Sequence, residues 1–153
     1  MLEQLAWVAS VVTAVAIVVS ATYASIQVRD NTRAVRASAY QQVVNSFASI
    51  SFDIAKDNTL ADLYLRAGRD FASLGESERL QYSLLLLSFL RRAENVLFQT
   101  NTRVLLTEHW SGIRDSIKTI LSPPGARLCW GEIKNRVNPE FRAFVDSLIS
   151  EQT

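Results

Sequence analysis

The sequence predicts an all-α protein, with one N-terminal transmembrane helix continuing into a cytoplasmic helical bundle. Three observations carry that expectation. Residues 5–28 form 24 consecutive uncharged positions, and about 20 apolar residues suffice to cross a bilayer as a helix. Neither Gly nor Pro occurs before Gly68, so nothing in the first third of the chain breaks a helix. No segment alternates apolar and polar side chains for more than a few residues, as a half-buried strand would.

The first segment, LAWVASVVTAVAIVVSATYASIQV, is expected to be the membrane span. Its polar members Ser10, Thr13, Ser20, Thr22 and Ser25 are expected to bond their hydroxyls to carbonyls one turn back. Trp7 and Tyr23 stand near the ends, where amphipathic rings favour the headgroup layer. A cleaved signal peptide would carry a positive n-region and a shorter apolar core, whereas here the chain opens Met1-Leu2-Glu3-Gln4 and the positive charge follows the apolar run. Arg29, Arg33 and Arg36 come after the span and no Lys or Arg precedes it. The positive-inside rule then puts the N-terminus outside and the remainder in the cytoplasm, with a cell inner membrane as the expected location. Ala9, Thr13, Ala16, Ser20 and Ala24 recur at intervals of three or four and would build a smooth ridge for close helix packing. The span contains no His, Cys, Met, Asp, Glu, Lys or Arg, which makes it an anchor with no means to ligate a haem through an imidazole or to carry protons or ions.

The three arginines, at i, i+4 and i+7, share one helix face and would meet lipid headgroups, at about 1 kcal/mol each near an anionic surface. Apolar positions Tyr40, Val43, Val44, Phe47, Ile50 and Ile54 continue at helical spacing. The first helix is therefore predicted to run to about Lys56, as part of a rigid arm. This divides the chain into an anchor (1–28), a juxtamembrane extension (29–56) and a helical domain packing on it (57–153).

Within that domain, Asp57-Asn58-Thr59 offers N-cap oxygens for a short helix from Leu60, stopped by Gly68. Ser73 and Glu76 have capping-box spacing and would open a long helix to about Asn101. The middle of that helix, Leu84-Leu85-Leu86-Leu87-Ser88-Phe89-Leu90, is apolar all round, which suits the centre of a bundle. Thr107 would cap a fourth helix to about Leu121. Pro123-Pro124 and Asn138-Pro139 place prolines where first helical turns favour them, opening two more.

Charge and motif content narrow the function classes. Residues 37–153 carry 13 basic and 13 acidic side chains, which provides no basic face for nucleic acid. Arg91, Glu94 and Asn95 follow the most apolar stretch and form either a pocket or a structural ion pair. His109 is the sole histidine and has no nucleophile or orienting partner at a useful spacing, so a surface position is expected. Cys129 is the sole cysteine, on an apolar face, where packing is the expected role. No phosphate-cradling glycine loop is present, and neither a cofactor, a metal site nor an enzyme is expected.

The stretch Gln27-Val28-Arg29-Asp30-Asn31-Thr32-Arg33-Ala34-Val35-Arg36-Ala37-Ser38, leaving an apolar helix, resembles a widespread family of small, uncharacterised bacterial single-pass membrane proteins with a helical cytoplasmic domain. Glu94-Asn95, Arg127-Leu128-Cys129-Trp130 and Asn138-Pro139-Glu140-Phe141-Arg142-Ala143-Phe144-Val145-Asp146 fit the same pattern. The resemblance implies the topology and a bacterial source, and carries over no site residues. It would place a bulky apolar or aromatic side chain at position 129. The expected function is a non-enzymatic interaction protein, either an accessory subunit of a larger membrane complex or a self-assembling scaffold. Its partners would be membrane lipid and other transmembrane helices. The alternative is a cytoplasmic-side sensor or small-ligand-binding bundle around Arg91, Glu94 and Asn95.

Overall fold

The computed structural model describes residues 1–151, apart from the side chain of His109. Six helices follow in order and the described residues contain no strand: α1 Leu2–Lys56, α2 Asn58–Arg69, α3 Glu76–Asn101, α4 Thr107–Ile120, α5 Pro124–Ile133 and α6 Pro139–Ser150. Short 3-10 turns lie at Phe71–Ser73 and Lys134–Arg136. The protein is all-α. Contacts divide it into two units, Met1–Ser38 and Ala39–Thr153, so the last turns of α1 belong with the helices that follow.

The first unit is bare helix. Every residue from Met1 to Ser38 is exposed, including the large apolar side chains Trp7, Val11, Val15, Ile17, Val18, Val19 and Ile26. An 18-residue window in α1 has mean hydropathy 2.1 with none of it buried, which makes this helix long and apolar enough to cross a membrane. Four of the five Ser and Thr hydroxyls in the apolar run bond one turn back: Ser10 to the Ala6 carbonyl at 3.0 Å, Thr13 to Ala9 at 2.9 Å, Thr22 to Val18 at 2.8 Å and Ser25 to Ala21 at 2.8 Å.

The second unit is built around α3. That helix packs on α2, α4 and α5, while α2 also packs on α5 and α4 on α6. Tyr82, Leu86, Leu90 and Ala93 are its buried face, repeating at three and four as an inward stripe must. Leu63 and Phe71, Ile117 and Leu121, and Trp130 join the same core. From α6, Phe141, Val145 and Leu148 enter it at i, i+4 and i+7. Each such side chain contributes roughly 1.5–3 kcal/mol by leaving water. The last turns of α1 add Val43, buried against Val96 and Leu105, and Phe47, whose ring meets Phe89 edge-on at 5.2 Å.

Local chemistry explains the helix limits. Asp57 accepts from the amides of Thr59 (2.9 Å) and Leu60 (3.2 Å) and starts α2. Asn138 accepts from Glu140 N at 2.8 Å and starts α6, with Pro139 in its first turn. Arg103 adopts φ 60°, and the Val104 and Leu105 amides both donate to the Gln99 carbonyl, at 2.9 and 3.1 Å. That left-handed residue closes α3 in the manner of a C-terminal cap.

Four local expectations are corrected, the first being that Thr107 caps α4: Leu106 is the N-cap, without a side-chain cap bond, and Thr107 is the first helical residue. Gly68 lies inside α2, which runs on to Arg69, and it is buried there beside Pro123. The expected capping box at Ser73 and Glu76 is displaced by two residues. Gly75 is the N-cap, and its amide donates to Glu78 Oε2 at 3.1 Å, while Ser73 belongs to a 3-10 turn capped by Asp70. The leucine-rich middle of α3 is also not enclosed all round, since Leu80 is 58% and Leu84 51% exposed. One element crossing requires a glycine. A Cβ added at Gly125, in the first turn of α5, would clash with the carbonyl oxygen of Ala67 in α2.

Candidate functional site

Four surfaces could serve function, and three of them coincide with residues singled out in the sequence. The first is the small-residue ridge. At 3.6 residues per turn, Ala9, Thr13, Ala16, Ser20 and Ala24 fall within about 80° of one another around the axis. Thr13 turns its hydroxyl into its own backbone, so it presents a methyl group to any neighbour. All five positions are exposed.

The second is the arginine row. Arg29 Nε and Arg33 Nη1 each lie 3.7 Å from Asp30 Oδ1, and both guanidinium side chains stay more than half exposed. Contacts of this length and exposure contribute at most about 1 kcal/mol. Arg29, Arg33 and Arg36 therefore act chiefly as a solvent-facing positive row.

The third is the polar cluster on α3. Arg91, Glu94 and Asn95 do border a cavity, of about 380 Å³, which Phe98, Asn101 and Asn138 also line. Glu94 is the organising group. One carboxylate oxygen accepts from Arg91 Nη1 at 2.9 Å, and the other from the backbone amide of Asn138 at 2.6 Å. Asn138 is the residue that caps α6. Glu94, only 17% exposed, thus ties α3 to the start of α6 and has both oxygens committed. Arg91 stays 55% exposed at the rim.

The fourth surface was not foreseen. A groove of about 1030 Å³ runs between the 40–54 stretch of α1 and helix α4, with α3 beneath. Val44, Phe47, Ile50 and Ile54 form one wall, Leu85 and Phe89 the floor, and Ile113 and Ile120 part of the other wall. Among the described residues, its charged lining groups are Glu108 and Asp115.

The remaining reactive groups are spoken for. Cys129 is fully buried, with its Sγ 3.4 Å from Ser83 Oγ. Burial pushes the thiol pKa up, and the Ser83 hydrogen bond only partly opposes this. A thiol kept protonated is a poor nucleophile. The Trp130 indole donates to Asp146 Oδ1 at 2.8 Å, which satisfies a large ring otherwise buried. Burial also raises the Tyr82 phenol, with Tyr64 and Cys129 adding to the effect. Gln99 Oε1 is buried without a hydrogen-bond partner, yet Gln99 lines neither cavity. Among the described residues no group of three His, Cys, Asp or Glu side chains could hold a metal ion. The His109 side chain, expected at the surface, lies outside the described residues.

No protein-family model matches the chain, and no curated protein or solved structure is significantly similar to it.

Proposed function

We propose that the protein is a membrane-anchored, non-enzymatic interaction protein, either an accessory subunit of a larger membrane complex or a self-assembling scaffold. The observation that carries this reading is the fully exposed apolar window of α1. The central helix of a soluble protein hides such a surface, and each large apolar side chain left in water forgoes roughly 1.5–3 kcal/mol. A bilayer supplies the missing environment. The arginine row after the span orients it with the N-terminus outside and the helical unit in the cytoplasm of a bacterial cell, at the inner membrane. The ridge from Ala9 to Ala24 is the surface on which another transmembrane helix packs.

Native mass measurement of the detergent-extracted protein tests it. An oligomer, or a complex with other membrane subunits, is expected, and it should dissociate when Ala16 is replaced by Leu to roughen the ridge. A strictly monomeric, partner-free protein sinks the proposal.

A second reading, a cytoplasmic-side ligand-binding bundle, has one observation in its favour: a cavity does exist at Arg91, Glu94 and Asn95. The first reading fits better, because both Glu94 oxygens are already engaged in holding the fold.

A further inference from the structure

The apolar groove is lined by residues of α1, α3 and α4, with Tyr64 of α2 and Leu105 beside them. Its α1 wall, from Tyr40 to Ile54, extends about 21 Å at 1.5 Å per residue, and the α4 wall, from Glu108 to Ile120, about 18 Å. Those lengths match three to four turns of a further helix. The rim on α4 is unusual in its polarity. Ser111, Ser116 and Thr119 all turn their hydroxyls into their own helix, bonding the carbonyls of Glu108 (2.9 Å), Gly112 (2.8 Å) and Asp115 (3.0 Å). What α4 leaves for an occupant is apolar surface plus the carboxylates of Glu108 and Asp115, seven residues apart on one face. Among the described residues no basic group joins Tyr40, Tyr64 and the apolar side chains of the other helices in the lining. Between them stands Gly112, where an added Cβ would meet nothing within 4 Å. With Ser116 one turn further, it leaves room for a backbone to approach closely.

We infer that this groove docks an amphipathic helix of a partner protein, with its apolar stripe against α1 and α3 and two basic side chains about two turns apart meeting Glu108 and Asp115. Helix-in-groove recognition reads apolar anchors at helical spacing, and rim charges select the partner and its register. An acyl chain would fill the apolar part but would leave the paired carboxylates without a counterpart. The inference rests on the interaction reading above and names where, and with what chemistry, the cytoplasmic-side partner binds.

The test uses the full chain in phosphatidylcholine nanodiscs and two labelled 14-residue helical peptides with the same leucine stripe. One carries Lys at two positions seven apart, the other Glu. The Lys peptide is expected to bind about tenfold more tightly than the Glu peptide, and raised salt should weaken it. In the double variant Glu108→Lys, Asp115→Lys, both at exposed positions, the preference should reverse while a cooperative thermal melt is retained, lowered only slightly by the basic charge in the first turn of α4. Equal binding of the two peptides, or a preference that the double variant leaves intact, overturns the inference. Saturable one-to-one binding of palmitate with neither peptide bound also overturns it and assigns the groove to a lipid chain. An oligomer or complex by native mass together with no peptide preference overturns the groove alone. A partner-free monomer that still prefers the Lys peptide supports the groove and overturns the assembly reading.

Discussion

Two stretches of α1, one apolar at 18 of 24 positions and one at 10 of 18, dispose of their apolar side chains in different ways. Residues 5–28 bear apolar side chains on every face, and none of them is buried. Residues 39–56 carry theirs largely as a stripe: Val43 is buried and Phe47, Ile50 and Ile54 are half-buried, with Asn45, Ser46, Ser49, Ser51 and Asp53 among the positions between them, while Val44 and Phe52 stay exposed. The stripe is solved within the chain, against Val96, Leu105 and Phe89. The all-round apolar surface is not, so its environment comes from outside the chain. One uninterrupted helix thus holds two solutions to the same hydrophobic problem, distinguished by both the number and the pattern of the apolar side chains.

A matched pair of substitutions probes that difference most strongly. Val15→Asp, in the all-round stretch, should cost about 2.5–3.5 kcal/mol of membrane insertion and release the protein to the soluble fraction. Val43→Asp should leave fractionation unchanged and lower the melting temperature of the helical unit, since it places a carboxylate in a small apolar cluster. If both variants affect only fractionation, the division between the two stretches is wrong.

Next in size is Gly125→Ala. The added methyl meets the Ala67 carbonyl, and overpacking of this kind typically costs about 1–3 kcal/mol. Denaturant unfolding should show that loss in the second unit, with membrane association untouched. Glu94→Gln comes third. Removing the charge weakens the bonds to Arg91 and to the Asn138 amide, at about 1–2 kcal/mol for charge-assisted hydrogen bonds in a mostly buried setting. An unchanged unfolding midpoint would instead favour a ligand-binding role for this carboxylate.

The smallest effect is a pH dependence. Hydrogen bonding to Arg66 lowers the Glu78 pKa, and hydrogen bonding to Lys118 lowers that of Glu151. A carboxylate whose folded pKa is depressed stabilises the fold above its unfolded value and loses that contribution as pH falls through the folded one. Stability of the second unit should therefore be flat near neutrality and decline only below about pH 4.3. Both groups are exposed, so the decline should be shallow and should diminish further in high salt.

How much of this was legible beforehand depends on whether a signal is local. The end of α1 at Lys56, the Asp57 cap, the Pro124 and Pro139 starts and the stop at Asn101 all rest on side chains within a turn of the boundary. Gly68 misled because a glycine weakens a helix by only about 1 kcal/mol, less than the packing of Ala67 and its neighbours in the core supplies. Ser73 misled because Glu78 reaches the Gly75 amide and starts α3 two residues later than the Ser73–Glu76 spacing suggested. The exposure of Leu84 and the groove beside Gly112 depend on how helices distant in sequence cross, and periodicity along one helix carries no record of that. The Arg91, Glu94 and Asn95 cluster was legible as a group, whereas its bond to the Asn138 amide, 44 residues away, was not.

The central claim is that residues 5–28 are a retained membrane span. The most direct test is the intact mass of the protein recovered from the alkali-washed membrane fraction of cells producing it. The full chain, 17.1 kDa, is expected in the pellet. A soluble full-length chain, or a shortened one lacking the apolar segment, would contradict it.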